Sequence, residues 1–267
     1  MQLYYREKGA ASNPPLIILH GLWGASDNWL EVANLLSDRF HVIIPDLPNH
    51  GKSFHHERHD YEFLADCVYE FIAGLNLSCQ PYWLGHSMGG KILMHLLLKW
   101  PKIAQRAAIV DIIPKDYGQA SNVRLHHELI AYIKSIRIED IHERSIFLKR
   151  IQEDLKEEEL YQLLAKNIRK NKESGLLEWK VNLKALQTHM NHLADWQNPS
   201  ASICPDPILF IKGECSDYIH PTEDLPLIRQ YFPKANLTEI PEASHAIHAT
   251  HPQQLTSTLL KFFLENQ

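Results

Sequence analysis

The sequence predicts an α/β protein with a mainly parallel sheet, interrupted in its second half by a helical insertion. Three observations point there. Short apolar runs alternate with helical patterns as far as Val110. From about Asn122 to Trp196 the alternation gives way to a helical, highly charged pattern. It resumes at Pro207-Ile208-Leu209-Phe210-Ile211 and runs on toward the C-terminus.

Each element has its own signature. Leu16-Ile17-Ile18-Leu19 is a continuous apolar run, as a strand buried on both faces requires. Trp29 to Leu36 follows with helical spacing, and Val42-Ile43-Ile44 is the next strand. Tyr61 to Leu75 reads as a helix, Pro81 to Leu84 as a strand, Lys91 to Trp100 as a helix and Ala107 to Val110 as a strand. In the insertion, Ile141, Ile146, Phe147, Ile151 and Leu155 recur at roughly helical spacing with charges between them. The run Lys156-Glu157-Glu158-Glu159 reads as a solvated helix face. A Pro-rich return linker, Asn198 to Pro207, leads back to the sheet; Ala235 to Ile240 is its last strand and His251 to Leu264 the closing helix. The expected division is a core of residues 1–115 and 204–267 with an insertion at 116–203. Such an insertion can cover the C-terminal edge of the sheet, where ligands bind.

Composition narrows the class. A chain of 267 residues, 45% hydrophobic, can bury a sizeable core. A net charge of -5 gives no footprint for nucleic acid or an anionic membrane. No apolar stretch is long enough to span a bilayer, and Met1 to Lys8 has no apolar signal region. Cys67, Cys79, Cys204 and Cys215 form no C-x-x-C pair, which fits reduced thiols in a cytoplasmic protein. The 17 histidines are unusual. His245-x-x-His248-x-x-His251 lacks the carboxylate of H-E-x-x-H, so no metal is expected. His55, His56 and His59 read as a solvated loop, and His126 and His127 as a solvated helix face.

The chemistry centres on Gly85-His86-Ser87-Met88-Gly89, a G-x-S-x-G pattern between a strand and a helix. The tight turn exposes the serine at the sheet end, where side chains on the flanking glycines would clash. Ser87 is the expected nucleophile. The Met88 amide, at a helix N-terminus, is free to meet a developing negative charge. After the first buried strand, His20-Gly21-Leu22-Trp23-Gly24 can bring a second amide, that of Leu22, to the same place. Trp23 and His86 are the expected pocket residues. A general base should lie late in the chain, and His245 follows the last strand, with His248 as its competitor. Two aspartates can orient it: Asp111, ending the strand after the Ser87 helix, and Asp217, following the next strand.

These segments resemble the α/β-hydrolase superfamily and, within it, small esterases that cleave acyl esters and acyl-CoA thioesters. The resemblance rests on residues 20–29 and 85–91, on Pro45-Asp46-Leu47-Pro48-Asn49-His50-Gly51-Lys52-Ser53, on Val110-Asp111-Ile112, and on Trp179-Lys180-Val181-Asn182-Leu183 in the insertion. It implies an α/β-hydrolase fold with a helical cap, an acyl-enzyme on Ser87, a small acyl ester or thioester substrate, and no cofactor. In most of the superfamily the acid stands at the position of Ser216; in the esterase group it matches Asp111, which is therefore preferred to Asp217. Where the family usually has Gly-His-Trp at the base, this chain has Ser244-His245-Ala246, which affects the pocket wall. A menaquinone-pathway lyase shares the His-Gly and Gly-x-Ser-Met-Gly-Gly patterns; arginines facing the pocket, such as Arg124, Arg137 or Arg144, would favour that alternative. The sequence assigns no acyl-chain length, leaving group or oligomeric state.

Overall fold

The apolar runs become the middle of one sheet. In the computed structural model, which describes residues 2–118, 121–141, 143–155, 158–199 and 202–264, the core strands are β1 (Tyr5–Lys8), β2 (Pro15–Leu19), β3 (His41–Pro45), β4 (Tyr82–His86) and β5 (Ala107–Val110). After the insertion come β8 (Ile208–Gly213) and β9 (Asn236–Ile240). Their order is β1-β3-β2-β4-β5-β8-β9, parallel throughout except for β1 on β3.

Alternation along each strand supplies two cores. Ile17, Leu19, Trp83, Ile109 and Phe210 face one side, with α2 (Tyr61–Ala73), α3 (Met88–Lys99) and α8 (Pro221–Tyr231). Leu16, Ile18, Leu84, Val110 and Ile211 face the other, with α1 (Leu30–Leu36) and α10 (Pro252–Leu264). A short helix, α9 (Ile247–Thr250), follows the loop that carries His245. Helices on both faces explain why the central strands are apolar up to their C-terminal ends, where His86 and Lys212 stand.

The insertion holds α4 (Ser121–Ser135), α5 (Arg144–Asp154), α6 (Glu158–Lys166) and α7 (Leu183–Ala194). It also contains a hairpin, β6 (Ile168–Lys170) against β7 (Leu177–Trp179), where no strand was expected. Strands of three residues are too short to show a period of two. Its own core gathers Leu129, Ile133, Phe147, Ile151, Leu164 and Leu186. Lys156 and Glu157, in the acidic run, lie outside the described residues. Among the described residues, no helix is long and apolar enough to cross a membrane.

The histidines are distributed differently from the sequence expectation. His59 is fully buried, not solvated, and meets Asn49 Nδ2 at 3.2 Å. His126 is partly buried. His20, His50 and His95 are buried as well. Burial pushes His59 down from 6.5 to about 3, and His95 to about 4. These rings stay neutral in the folded chain but take up protons near 6.5 once it unfolds. Their stabilising contribution is complete above that value and is lost as the pH falls toward the folded values. Each can contribute a slope of up to about 1.4 kcal/mol per pH unit. The midpoint of urea unfolding is therefore expected to fall between roughly pH 6.5 and 5, above the range in which carboxylates titrate. A midpoint that stays level over that range would contradict this account.

Candidate active site

The loops at the C-terminal ends of β2, β4, β5 and β9 converge on Ser87. Ser87 has φ +52° and ψ -121°, a conformation outside the ordinary L-residue regions. Steric room makes this turn affordable. A Cβ on Gly89 would lie 2.3 Å from the Leu19 carbonyl oxygen, and one on Gly85 would lie 2.6 Å from the Gly89 oxygen. Only glycine lets the start of α3 pass so close to β2. Met88 opens α3, where the first amides have no partner inside the helix.

Ser87, His245 and Asp111 form a hydrogen-bonded row. Ser87 Oγ lies 3.1 Å from His245 Nε2, and His245 Nδ1 lies 2.7 Å from Asp111 Oδ2. With the Nδ1–H donating to the carboxylate, Nε2 is left to accept from the serine. Asp111 is fully buried, at φ +53°. Its Oδ1 accepts from the Gly213 amide at 3.1 Å, and its Oδ2 also accepts from the Ser216 hydroxyl. Asp217 is exposed, one residue beyond Ser216. Tyr218 stacks on the His245 ring at 3.9 Å and 14°, covering one of its faces.

Leu22, Ser87 and Met88 border one cavity, with Tyr61, Lys91, His126 and Met190 among its other walls. The two glycine-rich motif loops hold Leu22 there. His20 Nδ1–H donates to the Gly21 carbonyl at 2.8 Å, which leaves Nε2 to accept the Leu47 amide at 3.0 Å. Asp46 accepts from the Ser26 and Lys52 amides at 2.6 and 2.8 Å. The insertion docks on the same loop: Asn182 Nδ2 donates to Asn49 Oδ1 at 2.9 Å and to the His56 carbonyl at 3.1 Å.

Two expected pocket residues stand elsewhere. Trp23 packs into the core of the insertion and donates Nε1–H to His126 Nδ1 at 3.3 Å. Its carbonyl accepts from Asn167 Nδ2 at 2.8 Å, so it ties the Leu22 loop to the insertion and does not line the cavity. His86 is buried behind the serine, where its Nε2–H donates to the His245 carbonyl at 2.9 Å. It supports the histidine loop from below. His126, expected on a solvated face, lines the cavity instead, and burial pushes it down to about 4. His248 stacks on Trp29 at 4.5 Å, and His251 Nδ1 pairs with Thr250 Oγ1. Among the described residues, no cluster of three or more histidine, cysteine or acidic side chains could hold a metal. Arg124 and Arg137 are 83% and 75% exposed, and Arg144 is exposed on the outside of the insertion. None of the three lines the cavity, and the lyase alternative loses the feature that would favour it.

A strained turn that presents a serine to a histidine at the end of a parallel sheet is the arrangement of an α/β hydrolase. A family model described as alpha/beta hydrolase fold matches residues 14–252. The sn-1-specific diacylglycerol lipase ABHD11 of Danio rerio is 31% identical over 261 residues, 95% of this chain and 80% of its own. Esterase YbfF of Escherichia coli is 28% identical over 251 residues, 94% of this chain and 93% of its own. A solved structure of a marine microorganism esterase superposes with a TM-score of 0.93 at 37% identity, covering 98% of this chain and 99% of that one. The chain belongs to the alpha/beta hydrolase fold family.

Proposed function

We propose that this protein is a serine esterase that cleaves small acyl esters through an acyl-enzyme on Ser87. The observation that carries the reading is the bonded row from Ser87 through His245 to Asp111, at the edge of a cavity bordered by Leu22 and Met88. Ser87 Oγ attacks the substrate carbonyl while His245 Nε2 takes its proton. The Leu22 and Met88 amides hold the tetrahedral oxyanion; loss of one such donor costs on the order of a hundred- to thousand-fold in rate. Collapse expels the alcohol, which takes the proton back from His245. Water, deprotonated by the same histidine, then releases the acid. An acyl thioester would follow the same steps with a thiol leaving group. Every step is supplied by these groups and calls on no metal or organic cofactor.

Residues 116–203 act in this reading as a cap that excludes water from the acyl-enzyme. The cavity walls support it, since His126 and Met190 come from the insertion and Ser87 from the core. The relatives named esterase and lipase favour ester hydrolysis. The four free cysteines fit a reducing cytoplasm.

A fluorophosphonate probe tests the reading. Labelling is expected at Ser87, located by peptide mapping, and is expected to disappear on heat denaturation. Folded protein that remains unlabelled would sink the esterase proposal.

A further inference from the structure

We propose that a wall formed by Tyr61 and the C-terminal end of α7, fastened by Lys91, restricts this site to short acyl groups. This substrate class rests on the esterase reading. The cavity beside Ser87 measures about 50 Å³. At a minimum of about 10–15 Å³ for each water-sized group, it holds no more than roughly four, an upper bound that fits a short acyl chain.

A second cavity of about 470 Å³ lies on the other side of Tyr61, which borders both. Leu193 and Ala194 face the small cavity and Asp195 faces the large one. His95 stacks on Tyr61 at 5.3 Å and also borders the large cavity. The Tyr61 ring and residues 193–195 thus divide the two spaces. A longer acyl chain would meet them before it reached the larger one.

Three groups hold this wall by its backbone, Tyr61 and Lys91 from the core and Tyr117 from the start of the insertion. The last carbonyls of a helix have no intrahelical donor, and α7 ends at Ala194. Tyr61 Oη donates to the Leu193 carbonyl at 2.7 Å, and the Tyr117 amide donates to that of Ala194 at 2.9 Å. Lys91 Nζ donates to the Ala194 and Asp195 carbonyls at 2.8 and 2.7 Å, with that of Leu193 at 3.5 Å. The buried Lys91 amine, which burial pushes down to about 7, thus donates to the free carbonyls at the C-terminal end of α7. Lys91 stands one turn beyond Ser87 on α3, and its amide bonds the Ser87 carbonyl at 3.0 Å. The distance from nucleophile to wall is therefore set through a single helical turn. Lys91 acts as a positioning residue and Tyr61 as the barrier itself.

The test is a panel of p-nitrophenyl esters from acetate to dodecanoate, with fluorophosphonate labelling in parallel. For the native protein, kcat/KM is expected to fall at least tenfold from butyrate to octanoate. Tyr61→Ala is expected to raise the octanoate-to-butyrate ratio at least tenfold. Lys91→Met is expected to move the ratio the same way, chiefly through KM, and Lys91→Arg to restore part of the native preference. If Lys91→Met does not fold, Tyr61→Ala decides alone. Native protein that cleaves octanoate as well as butyrate overturns the wall. So do labelled variants whose activity falls equally on every chain length, as a merely structural role would produce. Native protein that neither labels nor turns over any ester overturns the esterase reading, and the wall with it.

Discussion

Replacing Ser87 with alanine is expected to lower kcat on p-nitrophenyl acetate by about 10⁶-fold, leaving only the residual acceleration that binding and oxyanion donors provide. The turn places this Oγ 3.1 Å from His245 Nε2. Alanine keeps the backbone at φ +52° and forfeits one partly exposed hydrogen bond, worth on the order of 1 kcal/mol. The fold should therefore survive. The thermal midpoint checks that, and fluorophosphonate labelling should vanish together with turnover. Retention of even one-hundredth of the native kcat in purified Ser87→Ala would place the nucleophile elsewhere.

Asp111→Asn is expected to cost about 10⁴-fold in kcat, while Asp217→Asn stays within about twofold of native. Asp111 accepts three hydrogen bonds, from the Gly213 amide, the Ser216 hydroxyl and His245 Nδ1. An asparagine keeps an acceptor on only one of its two positions. With its oxygen on the Gly213 amide, the NH₂ group faces His245 and makes Nδ1 the acceptor. The ring proton then moves to Nε2, the atom that must receive the proton of Ser87. Asp217, exposed to solvent, has no part in this row. A 10⁴-fold loss in Asp217→Asn with Asp111→Asn unaffected would reverse the assignment.

The strands that could be read from the sequence are those covered on both faces. β2, β4, β5 and β8 are buried at every residue, so their sequences read as apolar runs, broken only near the C-terminal ends of β4 and β8 by His86 and Lys212. β1 lies at the sheet edge and reads Tyr-Arg-Glu-Lys, with Glu7 and Lys8 exposed, and it carries no such pattern. α8 was equally hidden, with Pro221 at its start and Pro226 inside it. The hairpin of β6 and β7 is too short to have a period.

The same division holds at the site. Ser87 and the glycines around it were legible because close approach of backbones leaves glycine as the only residue that fits. His245 was legible because it follows the last strand at the end of the sheet where Ser87 emerges. The choice of acid was not legible from the residues alone, because Asp111 and Asp217 both follow strands that end at that edge. Tyr61, His126 and Tyr218 were missed, because each reaches the site from a different element and none belongs to a local motif.

Local chemistry in the sequence was thus enough to determine the α/β class, the strained turn at Ser87 and the late histidine. Each follows from hydrophobic period, glycine sterics or chain order, and all of these act between near neighbours. Tertiary structure alone decided that Asp111 lies under His245 while Asp217 faces solvent, that Trp23 and His86 brace the site from outside the cavity, and that Lys91 ties α7 to the Ser87 helix. Those outcomes depend on burial and on contacts between segments as much as 159 residues apart, which no local pattern records.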